Sequence, residues 1–289
     1  MKNKAFIGLG VMGSHMAGHI AKADYKLRVF NRTAKKAEIW KQEYLGDIAS
    51  SPSEASQGCD MVFLCLGGDD DVREVIDGKS GILETLESGA IVIDHTTTSA
   101  SLSREIASKL FEHGIHYIDA PVSGGEIGAK EGQLTIMAGG NQEAFNTCIE
   151  VMNCYSKFCK RMGGPGSGQL TKMVNQICIA GLIQALAEGM DFSKKAGLDT
   201  KEVIDVISRG AAQSWQMENR WKSMLDDFYE HGFAVDLMRK DLGFVLEEAE
   251  KNGSILDITK LVDSFYSEIQ NRGGGKWDTS SLFKRLSEK

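Results

Sequence analysis

No apolar run in this chain reads as long enough to span a membrane, and no charged-then-apolar segment at its start resembles a signal peptide. A cytoplasmic protein with no membrane partner is therefore expected. No block of Lys or Arg stands out, and the net charge is −7, which argues against nucleic acid as the main partner. The six cysteines (Cys59, Cys65, Cys148, Cys154, Cys159, Cys178) form no C-x-x-C pair, so they read as reduced, mostly core residues. His15 and His19 are spaced like two ligands on a helix, but the Glu of a zinc-protease motif is missing. They read as surface or packing residues, and no metal is expected. What remains is 289 residues, 42% hydrophobic and 25% charged, enough for two folded domains.

The most specific local pattern is at the start. An apolar run, Ala5–Ile7, leads into Gly8-Leu9-Gly10-Val11-Met12-Gly13. A helix-like stretch, Met12 to Ala23, and a second apolar run, Lys26 to Phe30, follow. Strand, G-x-G-x-x-G, helix, strand is the dinucleotide-binding fingerprint. Gly8 permits the turn, Gly10 lets a pyrophosphate approach the backbone, and Gly13 lets the helix pack on the sheet. The helix N-terminus then offers N–H groups and a partial positive charge to the phosphates.

At the end of the second strand the chain lacks the carboxylate that usually bonds the ribose 2′-hydroxyl of NAD. It carries Asn31-Arg32-Thr33 instead, with Lys35 and Lys36 behind. A guanidinium can clamp a 2′-phosphate in a bidentate way. NADP is the expected cofactor, with NAD as the alternative. A competing account is a solvated basic helix start with Thr33 as its N-cap.

Further strand candidates, Met61–Cys65, Ile91–Asp94 and His116–Ala120, alternate with helical segments. That rhythm implies a mostly parallel, doubly wound sheet. Leu134–Ala138 and Lys157–Met162 read as added antiparallel edge strands. The strongest breaker is Gly163-Gly164-Pro165-Gly166-Ser167-Gly168. Beyond it strand signals vanish. A helical pattern from Gln169 to Lys195, stopped by Gly197, would span roughly 40 Å, with Gly181 allowing close packing. Helices are also expected at Thr200–Arg209, Asp236–Asn252, Ile258–Asn271 and Ser280–Leu286. The expected fold is α/β: an N-terminal Rossmann doubly wound sheet over 1–164, then an all-α domain over 165–289, linked by the long helix. The apolar faces of that second domain predict a homodimer or homotetramer.

Three loops fall where open α/β sheets bind ligands, at the carboxyl ends of strands. They are Leu66-Gly67-Gly68-Asp69, His95-Thr96-Thr97-Thr98 and Pro121-Val122-Ser123-Gly124-Gly125. The Ser123 hydroxyl and the accessible N–H groups of Gly124 and Gly125 suit a substrate carboxylate; a plain turn with Ser123 as N-cap is the alternative. Lys172 lies one turn into the long helix. A lysine at a domain junction can lose water and serve as an acid or base, although a solvated lysine is the blander account. Asn175 and Gln176 share its face, and Lys240-Asp241-Leu242 can bring a second cation.

Four motifs in order, Gly8 to Gly13, Asp119-Ala-Pro-Val-Ser-Gly-Gly125, Gly166-x-Gly-x-x-x-Lys172 and Lys240-Asp-Leu242, resemble the β-hydroxyacid dehydrogenases over essentially the whole chain. That family includes 3-hydroxyisobutyrate dehydrogenase, tartronate semialdehyde reductase and the glyoxylate/succinic semialdehyde reductases. The resemblance implies hydride transfer between NADP(H) and a small β-hydroxy acid or semialdehyde. Lys172 would be the general acid/base, and Ser123, Gly124 and Gly125 the carboxylate loop. Leu66, Thr97 and Lys240 would lie beside cofactor, and Asp71 is grouped with them. The family's usual Asn four residues after the lysine is here Gln176, preceded by Asn175, which leaves the substrate open. Gly67-Gly68-Asp69-Asp70-Asp71 replaces a Pro-containing segment; its acids are expected to face water, with Asp71 able to cap the next helix. A decarboxylating 6-phosphogluconate-like dehydrogenase has a longer helical domain. A non-catalytic nucleotide-binding module tends to lose the lysine, and an imine reductase usually replaces it.

Overall fold

The apolar runs near the start of the chain become the middle of a sheet. The computed structural model describes residues 3–287. Six parallel strands, β1 (Asn3–Ile7), β2 (Leu27–Phe30), β3 (Asp47–Ile48), β4 (Cys59–Leu64), β5 (Ile91–Asp94) and β6 (His116–Asp119), stand in the order β3-β2-β1-β4-β5-β6. This is the strand order of a doubly wound dinucleotide-binding sheet, reversing between β1 and β4. Beyond β6 lie β7 (Val122–Ser123), β8 (Leu134–Gly140) and β9 (Ser156–Gly163). β8 runs antiparallel to β6 and β7, and β9 runs parallel to β8. The two-residue β3 and β7 had no sequence signal, because so short a strand shows no periodicity.

The helices of this part are α1 (Val11–Lys22), α2 (Ala34–Glu43), α3 (Pro52–Ser56), α4 (Asp69–Asp77), α5 (Ala100–Glu112), α6 (Gly125–Lys130) and α7 (Gln142–Met152). Alternation along the strands sorts the core into two layers. Val29, Phe6, Phe63, Ile93 and Ile118 are register partners across five adjacent strands. They pack with Met16, Ala17 and Ile20 of α1 on one face. Their neighbours Ala5, Ile7, Val62, Leu64 and Val92 pack with Val72, Ile76, Leu102 and Ile106 on the other. Period-2 side chains buried on both faces explain why these strands read as continuous apolar runs. Each large apolar side chain so buried contributes about 1.5–3 kcal/mol. His19 is a packing residue, with its Nε2 3.1 Å from the carbonyls of Ala129 and Lys130 at α6.

One compact unit runs to Lys172 and a second from Met173. The long helix α8 (Ser167–Lys195) belongs to both, and the chain leaves it through Gly197 at φ +76°. The second unit continues with α9 (Thr200–Ile207), α10 (Trp215–Leu225), α11 (Val235–Asn252), α12 (Asp257–Asn271) and α13 (Leu282–Ser287), the last preceded by a 3-10 turn over Thr279–Ser281. Among the described residues no strand follows β9, apart from one isolated bridge between Ala234 and Asp278. α10 was not anticipated, although Met217, Trp221, Met224 and Leu225 stand at i, i+4, i+7 and i+8 along it.

Two expectations about α8 are corrected. A Cβ on Gly181 would meet nothing within 4 Å among the described residues, so the chain makes no close approach to itself there. By length and composition α8 could cross a membrane, with mean hydropathy 1.3 over its most apolar stretch. A continuous 29-residue helix supplies that length even though polar residues interrupt the apolar run. Gln169, Lys172, Gln176 and Gln184 are buried on it, as on a core helix.

Candidate functional site

The glycine turn is built by close approach on one side and open space on the other. Gly8 has φ +101°, and a Cβ there would collide with the Cys65 carbonyl, where β1 and β4 part. A Cβ on Gly13 would strike the Gly8 carbonyl, so α1 lies directly on the turn. Gly10, the N-cap of α1, would place a Cβ within 4 Å of nothing. α3, α5 and α7 are capped by the side chains of Ser51, Ser99 and Asn141. α1 has no side-chain cap and no acid in its first turn, and Val11 there is exposed. An uncapped helix N-terminus beside open space fits a pyrophosphate.

Asn31 pins this turn to the end of β2. Leu9 N–H donates to Asn31 Oδ1 (2.8 Å), and Asn31 Nδ2 donates to the Thr33 carbonyl (3.0 Å). Thr33 stands at the N-cap of α2 but makes no capping hydrogen bond. Arg32 is largely exposed and forms an ion pair with Asp71, Nη1 to Oδ1 2.9 Å. The three acids do not all face water. Asp69 accepts from Ser99 N–H (3.0 Å) and Oγ (2.6 Å), whereas Asp70 is fully exposed near Arg73. The cap of α4 is Gly68, not Asp71; all three acids lie in its first turn, where the helix dipole favours them.

The loops after β4 and β5 are tied together. Leu66 N–H donates to Thr96 Oγ1 (2.9 Å), and Thr96 N–H donates to Asp94 Oδ1 (2.8 Å). Thr97, half-buried, is the next residue. Asp94 also accepts from Tyr117 O–H (2.8 Å), and burial pushes its carboxyl up to about 6. His95 has Nδ1 2.7 Å from the Ala120 carbonyl and Nε2 2.9 Å from Tyr155 Oη. A carbonyl only accepts, so Nδ1 carries the proton and Tyr155 donates to Nε2. Burial holds this imidazole down at about 4, hence neutral.

The start of α8 is seated on β6. Asp119 accepts from Gly166 N–H (2.8 Å) and Gln169 N–H (3.0 Å), and burial raises its carboxyl to about 6. Gln169 donates through Nε2 to the Thr96 carbonyl (2.7 Å) and accepts from Thr98 N–H (3.1 Å). One turn on, Lys172 is 7% exposed and its Nζ donates to the Val122 carbonyl at 2.9 Å. Ser123 follows Val122 in β7 and is register partner to Thr135. It is not an N-cap: that position of α6 is Gly124, at φ +133°, with Gly125 at +63°. The first unit therefore brings Lys172 to the Ser123 loop. Gln169 was missed, because a lone glutamine carries no signal. Asp119 stood inside a motif without a role.

In the second unit, Asn175 Nδ2 donates to Gln176 Oε1 (2.8 Å), and Gln176 Nε2 donates to Asp241 Oδ2 (2.7 Å). Asp241 is buried, and Lys240 Nζ lies 3.6 Å from its Oδ1. The glutamine amide is thus oriented by a carboxylate that the sequence reading left unassigned.

Comparison with known proteins agrees with this architecture. Residues 3–164 match the family described as the NAD binding domain of 6-phosphogluconate dehydrogenase. Residues 166–286 match that described as NAD-binding of NADP-dependent 3-hydroxyisobutyrate dehydrogenase. An uncharacterised oxidoreductase of Shewanella frigidimarina is 54% identical, with 100% of this chain and 99% of the relative covered. The 2-hydroxy-3-oxopropionate reductase of Escherichia coli is 32% identical, with 97% and 96% covered. The fold superposes on Mycobacterium tuberculosis 3-hydroxyisobutyrate dehydrogenase, solved with L-serine, at TM-score 0.90, 25% identity and 99% coverage of both chains. The chain belongs to the β-hydroxyacid dehydrogenase family, the NAD(P)-dependent oxidoreductases related to 3-hydroxyisobutyrate dehydrogenase.

Proposed function

We propose that the chain interconverts a small carboxylate-bearing semialdehyde and its β-hydroxy acid with NADP(H), and that Lys172 moves the proton. One observation carries this reading: the buried Lys172 Nζ lies 2.9 Å from the Val122 carbonyl, immediately before Ser123. A bound nicotinamide would supply or accept the hydride. The Ser123 hydroxyl and the Gly124 and Gly125 N–H groups hold the substrate carboxylate. Lys172 donates its proton to the carbonyl oxygen in reduction and takes it back from the alcohol in oxidation.

The α1 N-terminus, Gly8 to Gly13, holds the pyrophosphate, with Leu66 and Thr97 on the adjoining loops beside the rest of the cofactor. Arg32 clamps a 2′-phosphate, and Asn31 keeps the turn in place behind it. We further propose substrate contacts for Gln176, at the position of the family's usual Asn, and for Asn175 before it, with Lys240 as a cation near cofactor and substrate. We assign residues 1–164 to cofactor binding and the Ser123 carboxylate loop, and 165–289 to the remaining substrate contacts and self-association. A homodimer or homotetramer is supported by the exposed Val174, Leu182, Phe192, Leu198 and Val206 on α8, α9 and the turn between them. We propose the cytoplasm as the chain's compartment, in keeping with six cysteines that are all free. The test is NADPH and NADH oxidation with 2-hydroxy-3-oxopropionate, whose reduction gives a β-hydroxy acid, and with glyoxylate and succinic semialdehyde beside it. Turnover with NADPH preferred is expected; strong preference for NADH would refute the phosphate clamp.

A further inference from the structure

The ion pair between Arg32 and Asp71 joins the end of β2 to the first turn of α4, at the edge of the proposed adenosine-ribose site. Its geometry is shaped by Gly67: a Cβ there would collide with Asp71 Oδ2, so a side chain would displace the carboxylate. Arg32 is 87% and Asp71 37% exposed. An ion pair that open to water adds little to folding. What it does alter is the charge presented at the guanidinium.

We propose that Asp71 sets the cofactor ratio of this chain by competing with a 2′-phosphate for Arg32. The inference rests on the reading of Arg32 as the phosphate clamp. To clamp a phosphate in a bidentate way, Arg32 must leave Asp71 or share itself with it. In either case the carboxylate stays close to a doubly charged phosphate. Both effects weaken NADP(H) and leave NAD(H), which has a hydroxyl there, without that penalty. Asp71 therefore narrows the preference that Arg32 alone would impose.

The experiment measures equilibrium dissociation constants of NADPH and NADH, by quenching of intrinsic tryptophan fluorescence, on the full chain and three variants. Asp71→Asn should tighten NADPH about two- to fivefold and should not tighten NADH. Asp70→Asn removes the same charge one residue away, from a carboxylate near Arg73 instead of Arg32. It should change NADPH binding less than Asp71→Asn does. Arg32→Gln should weaken NADPH at least about tenfold. If Arg32→Gln weakens NADPH but Asp71→Asn leaves it unchanged or weaker, the competition is refuted and the clamp stands. If Asp70→Asn tightens NADPH as much as Asp71→Asn, the effect is general charge and the proposal is overturned. If Arg32→Gln leaves NADPH binding unchanged, the clamp fails and the competition with it.

Discussion

Replacing Lys172 by Met keeps most of the aliphatic stem and removes only the ammonium. The lysine is 7% exposed and its Nζ hydrogen-bonds the Val122 carbonyl at 2.9 Å. A positioned proton-transfer group contributes about 10²- to 10⁴-fold in rate, or about 3–5 kcal/mol on the barrier. The variant should lose that much in kcat. Two opposing changes act on folding: a charge-assisted hydrogen bond worth about 1.5–3 kcal/mol disappears, and so does the desolvation of a buried ammonium. Stability should then move by less than the hydrogen bond alone, which urea unfolding would report. No part of the glycine turn is touched, so the NADPH dissociation constant should stay within about threefold, under 1 kcal/mol. The assay pairs steady-state NADPH oxidation with cofactor titration on one preparation. A kcat reduced less than about tenfold would refute proton transfer by Lys172. A parallel loss of NADPH affinity would mean that the lysine supports the cofactor site instead.

Ser123→Ala should raise KM for a carboxylate-bearing aldehyde about tenfold or more, because a charge-assisted hydrogen bond is lost; an equal rise for an aldehyde without a carboxylate would contradict the role. Gly8→Ala places a side chain at φ +101° against the Cys65 carbonyl, and should destabilise folding by about 2 kcal/mol or more. An unchanged urea midpoint would show that the turn relaxes freely. Asp94 and Asp119 have folded pKa values raised from 3.8 to about 6. The folded state therefore holds these protons more tightly than the unfolded chain does. Their stabilising contribution is complete below about pH 4 and declines as pH rises to 6, by on the order of 3 kcal/mol for each group. Asp94→Asn should flatten that decline between pH 4 and 6, and a slope unchanged from the parent chain would contradict the assignment.

The sequence showed most clearly the features that repeat or that require glycine. Phe6, Phe63 and Ile93 lie in continuous apolar runs, so their strands were readable one by one. Gly13 is forced by the Gly8 carbonyl five residues back, whereas Gly8, which meets the distant Cys65 carbonyl, was readable through the spacing of the glycine turn. Features that depend on contacts distant in sequence were not readable. Gln169 matters because Thr96 and Thr98, over 70 residues earlier, meet its amide. Asp71 looked like a solvated acid or a cap until the fold set Arg32 beside it. Gln176 raised a question about substrate that local pattern could not answer; its amide is oriented by Asp241, 65 residues on. α10 was legible but not read: Met217, Trp221, Met224 and Leu225 share one helical face.

Hydride transfer itself is tested most directly with NADPH carrying deuterium at the transferring position of nicotinamide C4 and an aldehyde acid as acceptor: 2-hydroxy-3-oxopropionate, glyoxylate or succinic semialdehyde. The account predicts a hydroxy acid product with one deuterium on the former carbonyl carbon, formed one for one with oxidised cofactor. A product without deuterium, or no oxidation of the cofactor with any of the three acids, would contradict it.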